Sequence, residues 1–367
     1  MPTCCNGIPR QVTNPFFNSS EKRFRALFRL LLQVGMMFMI LPAAQTIVPT
    51  LVQNVCSANL VKLVLELDFT QFIVMFIAIA GSIVLCTKLL DKRKFSDLGL
   101  LEKRKAPAEY LFGFVLAIAL VAIMLLIELA SGAAHLSAFN FAQLGNTRFI
   151  IGILDGLFSC MMIGFQEEFL RFYQIKNLSE GLAGFGKVSK KTAIIAATIL
   201  ASVYFGYLHK DNNAVTLQAI LLLVLDGVFL SLIYIMTGRA WLAFGFHAGW
   251  DFAEGNLFGF PVSGYPEKYS LLKLEQVGAP MFTGGGFGPD GGLINLVMIV
   301  CGTLGILAWI NWREKKLALR LDLTEWVTPP NFSRSRLIET SKIVDADGSF
   351  TVVESAQPAV EKHSHTI

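Results

Sequence analysis

The sequence predicts an all-α fold: a polytopic integral membrane protein of about eight transmembrane helices. Three observations lead there. Hydrophobic residues make up 54% of the 367-residue chain and charged residues only 16%, against about 25% charged in a soluble domain. Mean hydropathy is +0.56. The apolar runs are continuous rather than alternating, which fits helices and excludes a membrane barrel. The formal net charge is +4, and the basic residues cluster in short loops between apolar runs. They read as orientation signals rather than as a nucleic-acid surface.

Residues 1–25 read as a disordered amino-terminal segment, polar and without periodicity. The first span, about Ala26 to Val52, follows Lys22, Arg23 and Arg25, and Pro42 is expected to kink it. A second span runs from about Phe69 to Leu90 and a third from about Glu109 to Ser131. Between them lies the most basic loop, with Lys92, Arg93, Lys94, Lys103, Arg104 and Lys105. Residues 26–131 thus form an amino-terminal set of helices.

A core follows over 149–311. The fourth span covers about Phe149 to Ile175, and Gly181, Gly184 and Gly186 break the chain after it. The fifth is about Thr192 to His209, the sixth Leu217 to Thr237, the seventh Ala240 to Phe260 and the eighth Leu293 to Ile310. The loop Gly132–Arg148 and the Gly/Pro-rich segment before span eight read as irregular. The tail 329–367 is polar and aperiodic. An even number of crossings puts both termini on one side, and the basic loops share that side, which makes it cytoplasmic. The short loops suit a bacterial plasma membrane. The first apolar run is long enough to act as a signal anchor.

The anomaly is Glu167-Glu168, at the end of an apolar run. A charge at bilayer depth costs about 2.5–3.5 kcal/mol on insertion scales, so the pair calls for a partner, a proton or a water-filled cavity. The candidates are few. His209 ends Phe205-Gly206-Tyr207-Leu208-His209, and His247 and Asp251 are four residues apart, with Glu254 a turn further on. Residues four apart share a helix face, which also pairs Glu167 with Arg171. Structural roles compete at each position. His209 reads as a helix cap, His247 with Asp251 as an inter-turn hydrogen bond, and Glu167 with Arg171 as a self-neutralising pair. The six cysteines form no metal-spaced pair with a histidine, and His363-x-His365 lies in the tail.

Together the set is what water activation needs. A carboxylate takes a proton from water, a neutral imidazole shares that water, and a second imidazole with a carboxylate near it meets the oxyanion. Two carboxylates and two histidines, Glu167, Glu168, His209 and His247, also make an acceptable Zn²⁺ shell. The H-E-x-x-H helix of soluble zinc proteases is absent.

The ordered set resembles the CAAX-protease and bacteriocin-processing family of intramembrane proteases, known as CPBP or Abi proteins. That family carries Glu-Glu-x-x-x-Arg, Phe-x-x-x-His and His-x-x-x-Asn/Asp. Phe205 with His209 matches the second motif and His247 with Asp251 the third; in the first, Glu167 and Glu168 match but Arg171 comes one residue early. The similarity extends over roughly residues 90–310 and includes Phe95-Ser96-Asp97-Leu98-Gly99-Leu100.

The resemblance implies an intramembrane endopeptidase acting on a peptide or protein substrate, with a CAAX-prenyl-protease-like prenylated carboxyl terminus as one substrate class. It implies that Glu167 activates water with His209 and that His247 and Asp251 form the oxyanion site. It gives Glu168 a supporting or metal-facing role, with Arg171 and Phe205 in support. Both metallo- and glutamate-type mechanisms are described for the family, and zinc is the metal expected if one is used. A proton-coupled transporter built on the same acidic and histidine residues is the alternative from another class. A non-catalytic scaffold of the same fold is a third.

Overall fold

The computed structural model describes residues 14–57, 69–100, 102–184 and 186–326, together with the backbone of two strands, 340–344 and 350–354. Cys4, Cys5, His363 and His365 lie outside the described residues. Among the described residues, seven helices are long and apolar enough to cross a membrane. They are α1 (Ala26–Val55), α2 (Phe69–Leu89), α3 (Ala106–Ala130), α4 (Thr147–Ala183), α5 (Lys190–Leu208), α6 (Leu217–Thr237) and, later in the chain, α8 (Leu293–Glu314).

The seventh expected span is a composite. An α-helix, α7 (Trp241–Asp251), runs straight into a π-helical stretch, Phe252–Phe258, that Gly259 ends in a left-handed conformation, φ 80°. The all-α membrane architecture is therefore as the sequence predicts. A π turn inside a helix recurs at functional sites because it re-aims the residues around it.

Helix α7 is the axis of the core, and small residues let it in. An added Cβ at Gly245 would lie 2.0 Å from the Tyr110 carbonyl oxygen, and one at Gly249 would lie 2.4 Å from that of Phe114. On the facing helix, a Cβ at Gly113 would lie 2.3 Å from the Leu242 oxygen. Backbones in contact at a G-x-x-x-G face are a membrane packing device. On its other side α7 meets α4 at Gly164, where a Cβ would stand 2.8 Å from the Ala248 nitrogen. One turn beyond Gly164 comes Glu168, so this close approach brings the acidic pair to His247.

Helix α4 is longer than expected. It continues past Ile175 to Ala183, 37 residues in all, or about 55 Å. Lys176 and Glu180, which look like charges outside a span, are buried. Glu180 takes Arg93 Nη1 and Nη2, both at 2.8 Å, Arg23 at 3.1 Å, and Arg29 and Lys176 at 3.3 Å each. Arg29 also binds Asp91 at 2.7 Å.

The chain after α8 crosses back over this knot. Lys176 Nζ donates to the carbonyls of Leu323 at 3.0 Å and Glu325 at 2.8 Å, and the Trp326 indole donates to Asp91 O at 3.0 Å.

At the opposite end, the loops expected to be irregular are partly ordered. Strand β3 (Ala134–Phe139) pairs antiparallel with β6 (Leu272–Gln276), with His135 opposite Glu275. Glu128 anchors this cap by accepting from Gln276 Nε2 at 3.0 Å. Two short hairpins are added, β1 (Phe17–Asn18) with β2 (Arg23–Phe24), and β4 (Pro261–Val262) with β5 (Tyr265–Pro266). The first falls in a segment expected to be disordered; Asn14 Oδ1 orders it by accepting the Phe16 amide at 2.8 Å. Strands β7 (Thr340–Val344) and β8 (Phe350–Glu354) form a separate antiparallel hairpin. Helix α1 runs through Pro42 and Pro49.

Candidate active site

The lengths of α4 and α5 decide the level at which their side chains meet. From Glu167 to the end of α4 is about 24 Å, and from the start of α5 back up to Phe205 is about 22 Å. The extra two turns of α4 therefore return Phe205 and His209 to the level of the acidic pair. With α4 ending at Ile175, His209 would overshoot.

His247 is the centre of the cluster. Its Nδ1 lies 2.8 Å from Glu168 Oε1. Its Nε2 lies 3.7 Å from Glu167 Oε2 and 3.6 Å from Asp251 Oδ2. Glu168 is fully buried, whereas the Glu167 side chain keeps 27% of its surface exposed. The two neighbours in sequence therefore differ in kind: Glu168 is an internal brace, and Glu167 is the partly exposed carboxylate of the pair.

Arg171 does not pair with Glu167 four residues back. Its Nη1 binds Glu168 Oε2 at 2.9 Å, an i,i+3 pair. Its guanidinium carbon lies 3.9 Å from the centroid of the Phe205 ring, within cation–π range. The early arginine is thus accommodated on the same carboxylate that holds His247.

His209 caps α5. Its Nδ1 lies 2.9 Å from the carbonyl oxygen of Phe205. A carbonyl only accepts, so Nδ1–H donates; in the tautomer this selects, the lone pair is on Nε2. The Phe205 ring lies 4.8 Å from the His209 ring and 6.5 Å from that of His247, perpendicular to the latter. Phe205 is the wall shared by both imidazoles and Arg171.

Glu167, Glu168, His209 and His247 do not close into a zinc shell. Among the described residues, no three His, Cys, Asp or Glu side chains come together to hold a metal ion. Glu168 is shared between His247 Nδ1 and Arg171, and the Nδ1 bonds of His247 and His209 leave each Nε2 as the ring nitrogen that could face a metal ion.

A second polar layer lies behind these residues, and the sequence reading missed most of it. Asp290, in the turn before α8, accepts the Trp250 indole N–H at 2.8 Å and the Ser263 hydroxyl at 3.2 Å. Burial pushes its carboxyl up, against those two donated bonds and the pull of His247 and His209. Asn295 Nδ2 bridges Asp226 Oδ2 at 2.8 Å and Asp290 O at 3.3 Å. Glu254 is fully buried with neither carboxyl oxygen hydrogen-bonded. Asp226 was visible as a lone carboxylate inside an apolar span, which is itself a signal. Asp290 sits among loop glycines and carried none.

No curated protein and no solved structure matches the chain. Residues 148–253 match the family described as type II CAAX prenyl endopeptidase, Rce1-like. That stretch holds α4 from its second residue through Asp251, and so every residue of the three motifs. The segment that builds this site is therefore similar to the Rce1-like type II CAAX prenyl endopeptidases, in keeping with the resemblance of its motifs to the CPBP intramembrane proteases.

Proposed function

We propose that this protein is an intramembrane endopeptidase that hydrolyses a peptide bond with water activated by Glu167 and His209. The observation that carries the reading is the division of labour around His247. One ring nitrogen is braced by buried Glu168, and the other faces partly exposed Glu167 and Asp251. The Glu167 carboxylate takes a proton from water, and the His209 Nε2 lone pair orients that water. The water oxygen bonds to the scissile carbonyl carbon, and the new oxyanion is met by His247, held by Glu168 and Asp251. The C–N bond then breaks as Glu167 returns the proton to the departing amine. No step runs through a metal ion.

The family description makes a prenylated carboxyl terminus the first substrate class to try. Such a lipid chain partitions into the bilayer beside the exposed apolar faces of α5 and α6, where Leu200, Val203, Leu221 and Leu225 point outward. The basic loops support a reading in which both termini are cytoplasmic.

The test is cleavage of a farnesylated CAAX peptide by the purified full chain in liposomes. Wild type should cleave, and Glu167→Ala and His209→Ala should not. Full activity in both variants would overturn the reading, as would proton flux without hydrolysis. Activity lost on chelation and regained with Zn²⁺ would replace the metal-free mechanism.

A further inference from the structure

The two imidazoles sit on different elements; helix lengths bring them to one level and Phe205 lies against both, but His209 is held at the end of α5, where the chain turns. His209 is at the mouth of a turn, with Ala214 at φ 53°. His247 is on α7. A hydrogen-bonded circuit joins them. Asn212, three residues past His209, donates from Nδ2 to the Ser263 carbonyl at 2.9 Å. The Ser263 hydroxyl donates to Asp290 Oδ2 at 3.2 Å, and Trp250, three residues past His247, donates to Asp290 Oδ1 at 2.8 Å.

We infer that Asp290 is a positioning residue that sets the spacing of His209 and His247 through Ser263 and Trp250. The inference rests on the hydrolytic reading above for its catalytic consequence.

Three features support it. Ser263 is a non-glycine residue at φ 45°, a left-handed conformation that costs about 1 kcal/mol or more and persists only where its surroundings hold it. Its neighbour Gly264, at φ 93°, lets the loop press on the turn beyond His209; a Cβ there would lie 2.2 Å from the Asn213 oxygen. Asp290 itself is buried, and both His247 and His209 act on its carboxyl. It lies beyond residue 253, outside the stretch that matches the family.

Ser263→Gly separates positioning from stability. Glycine relieves the φ strain but removes the hydroxyl. A merely structural serine predicts unchanged kcat. A positioning serine predicts a kcat lowered about tenfold, with KM within about twofold and Tm unchanged or raised. Trp250→Phe should lower kcat similarly. Combining it with Ser263→Gly should cost less than the two effects multiplied, because both act through Asp290. Asp290→Asn, which still accepts from Trp250, should recover most of the activity that Asp290→Ala loses.

Amide hydrogen exchange across 208–215 of the full-length protein provides the readout independent of activity. It should quicken in Trp250→Phe and Ser263→Gly. Unchanged exchange in both overturns the inference, as does a kcat loss that only tracks a lowered Tm. A wild type that cleaves no peptide would sink the hydrolytic reading, and exchange would still decide this one.

Discussion

Glu168 stands between Arg171 and His247, 2.9 Å from one and 2.8 Å from the other. Its neighbour Glu167 reaches His247 only at 3.7 Å and stays partly exposed. Adjacent residues on a helix point about 100° apart, so one faces inward and one stays partly exposed. The two should fail differently. Glu168→Ala leaves a buried guanidinium without its counter-charge and should destabilise by about 3–5 kcal/mol. Glu167→Gln should change stability by less than about 1 kcal/mol and lower kcat by at least about 100-fold. Thermal unfolding in detergent beside peptide turnover separates them; equal Tm losses in the two variants would contradict the division.

Phe205 carries a load that its apolar character hides. Its ring lies under the Arg171 guanidinium and between the two imidazoles. Phe205→Leu keeps most of the volume and removes the π face. The expected cost is about 1 kcal/mol from the lost cation–π contact, with a several-fold fall in kcat as Arg171 and Glu168 relax. If Phe205→Leu matched wild type in both Tm and turnover, the ring would be filler and the support of Arg171 would come from Glu168 alone.

The motif residues were legible because charges in apolar helices have few innocent explanations. Glu167, Glu168, His247 and Asp251 converge as helix spacing and burial cost require. The end of α4 was not legible. Lys176 and Glu180 look like solvent-facing charges, and they are buried only because Arg23, Arg29 and Arg93 arrive from segments distant in sequence. That one misplacement had a geometric consequence, since a shorter α4 puts His209 and His247 at different depths. The β3–β6 cap was hidden for the same reason, because Ala134 pairs with Gln276 far along the chain. The π turn after Asp251 packs against α3 and the outer loops, and local sequence carries no mark of it.

Gly245 gives a packing prediction with an internal control. A methyl group there would lie 2.0 Å from the Tyr110 carbonyl oxygen, which is backbone and has little room to move. Gly245→Ala should therefore destabilise by about 1–3 kcal/mol. It should also lower kcat, because it pushes α7 away from α3 two residues before His247. Gly35, in α1, has nothing within 4 Å of an added methyl. Gly35→Ala should stabilise by about 0.5–1 kcal/mol, since alanine loses less backbone freedom in a helix. Parallel melting curves check both signs.

Glu180 allows stability to be tested apart from chemistry. Four cationic side chains meet on this one carboxylate, and the strap that follows α8 is fastened beside it through Lys176 and Trp326. Glu180→Gln keeps the shape and removes the charge that balances them, so a loss of about 3–5 kcal/mol is expected. Trp326→Phe removes one hydrogen bond to the Asp91 carbonyl and should cost about 1 kcal/mol. Glu180 lies about 18 Å along α4 from Glu168, so turnover per folded molecule should stay within about twofold of wild type in both variants. Measured at a temperature where each variant is fully folded, a large fall in kcat for Glu180→Gln would mean that the knot reaches the site through α4. A normal kcat with a lowered Tm would confine its role to holding Arg23, Arg29, Arg93, the strap at 323–326 and α4 together.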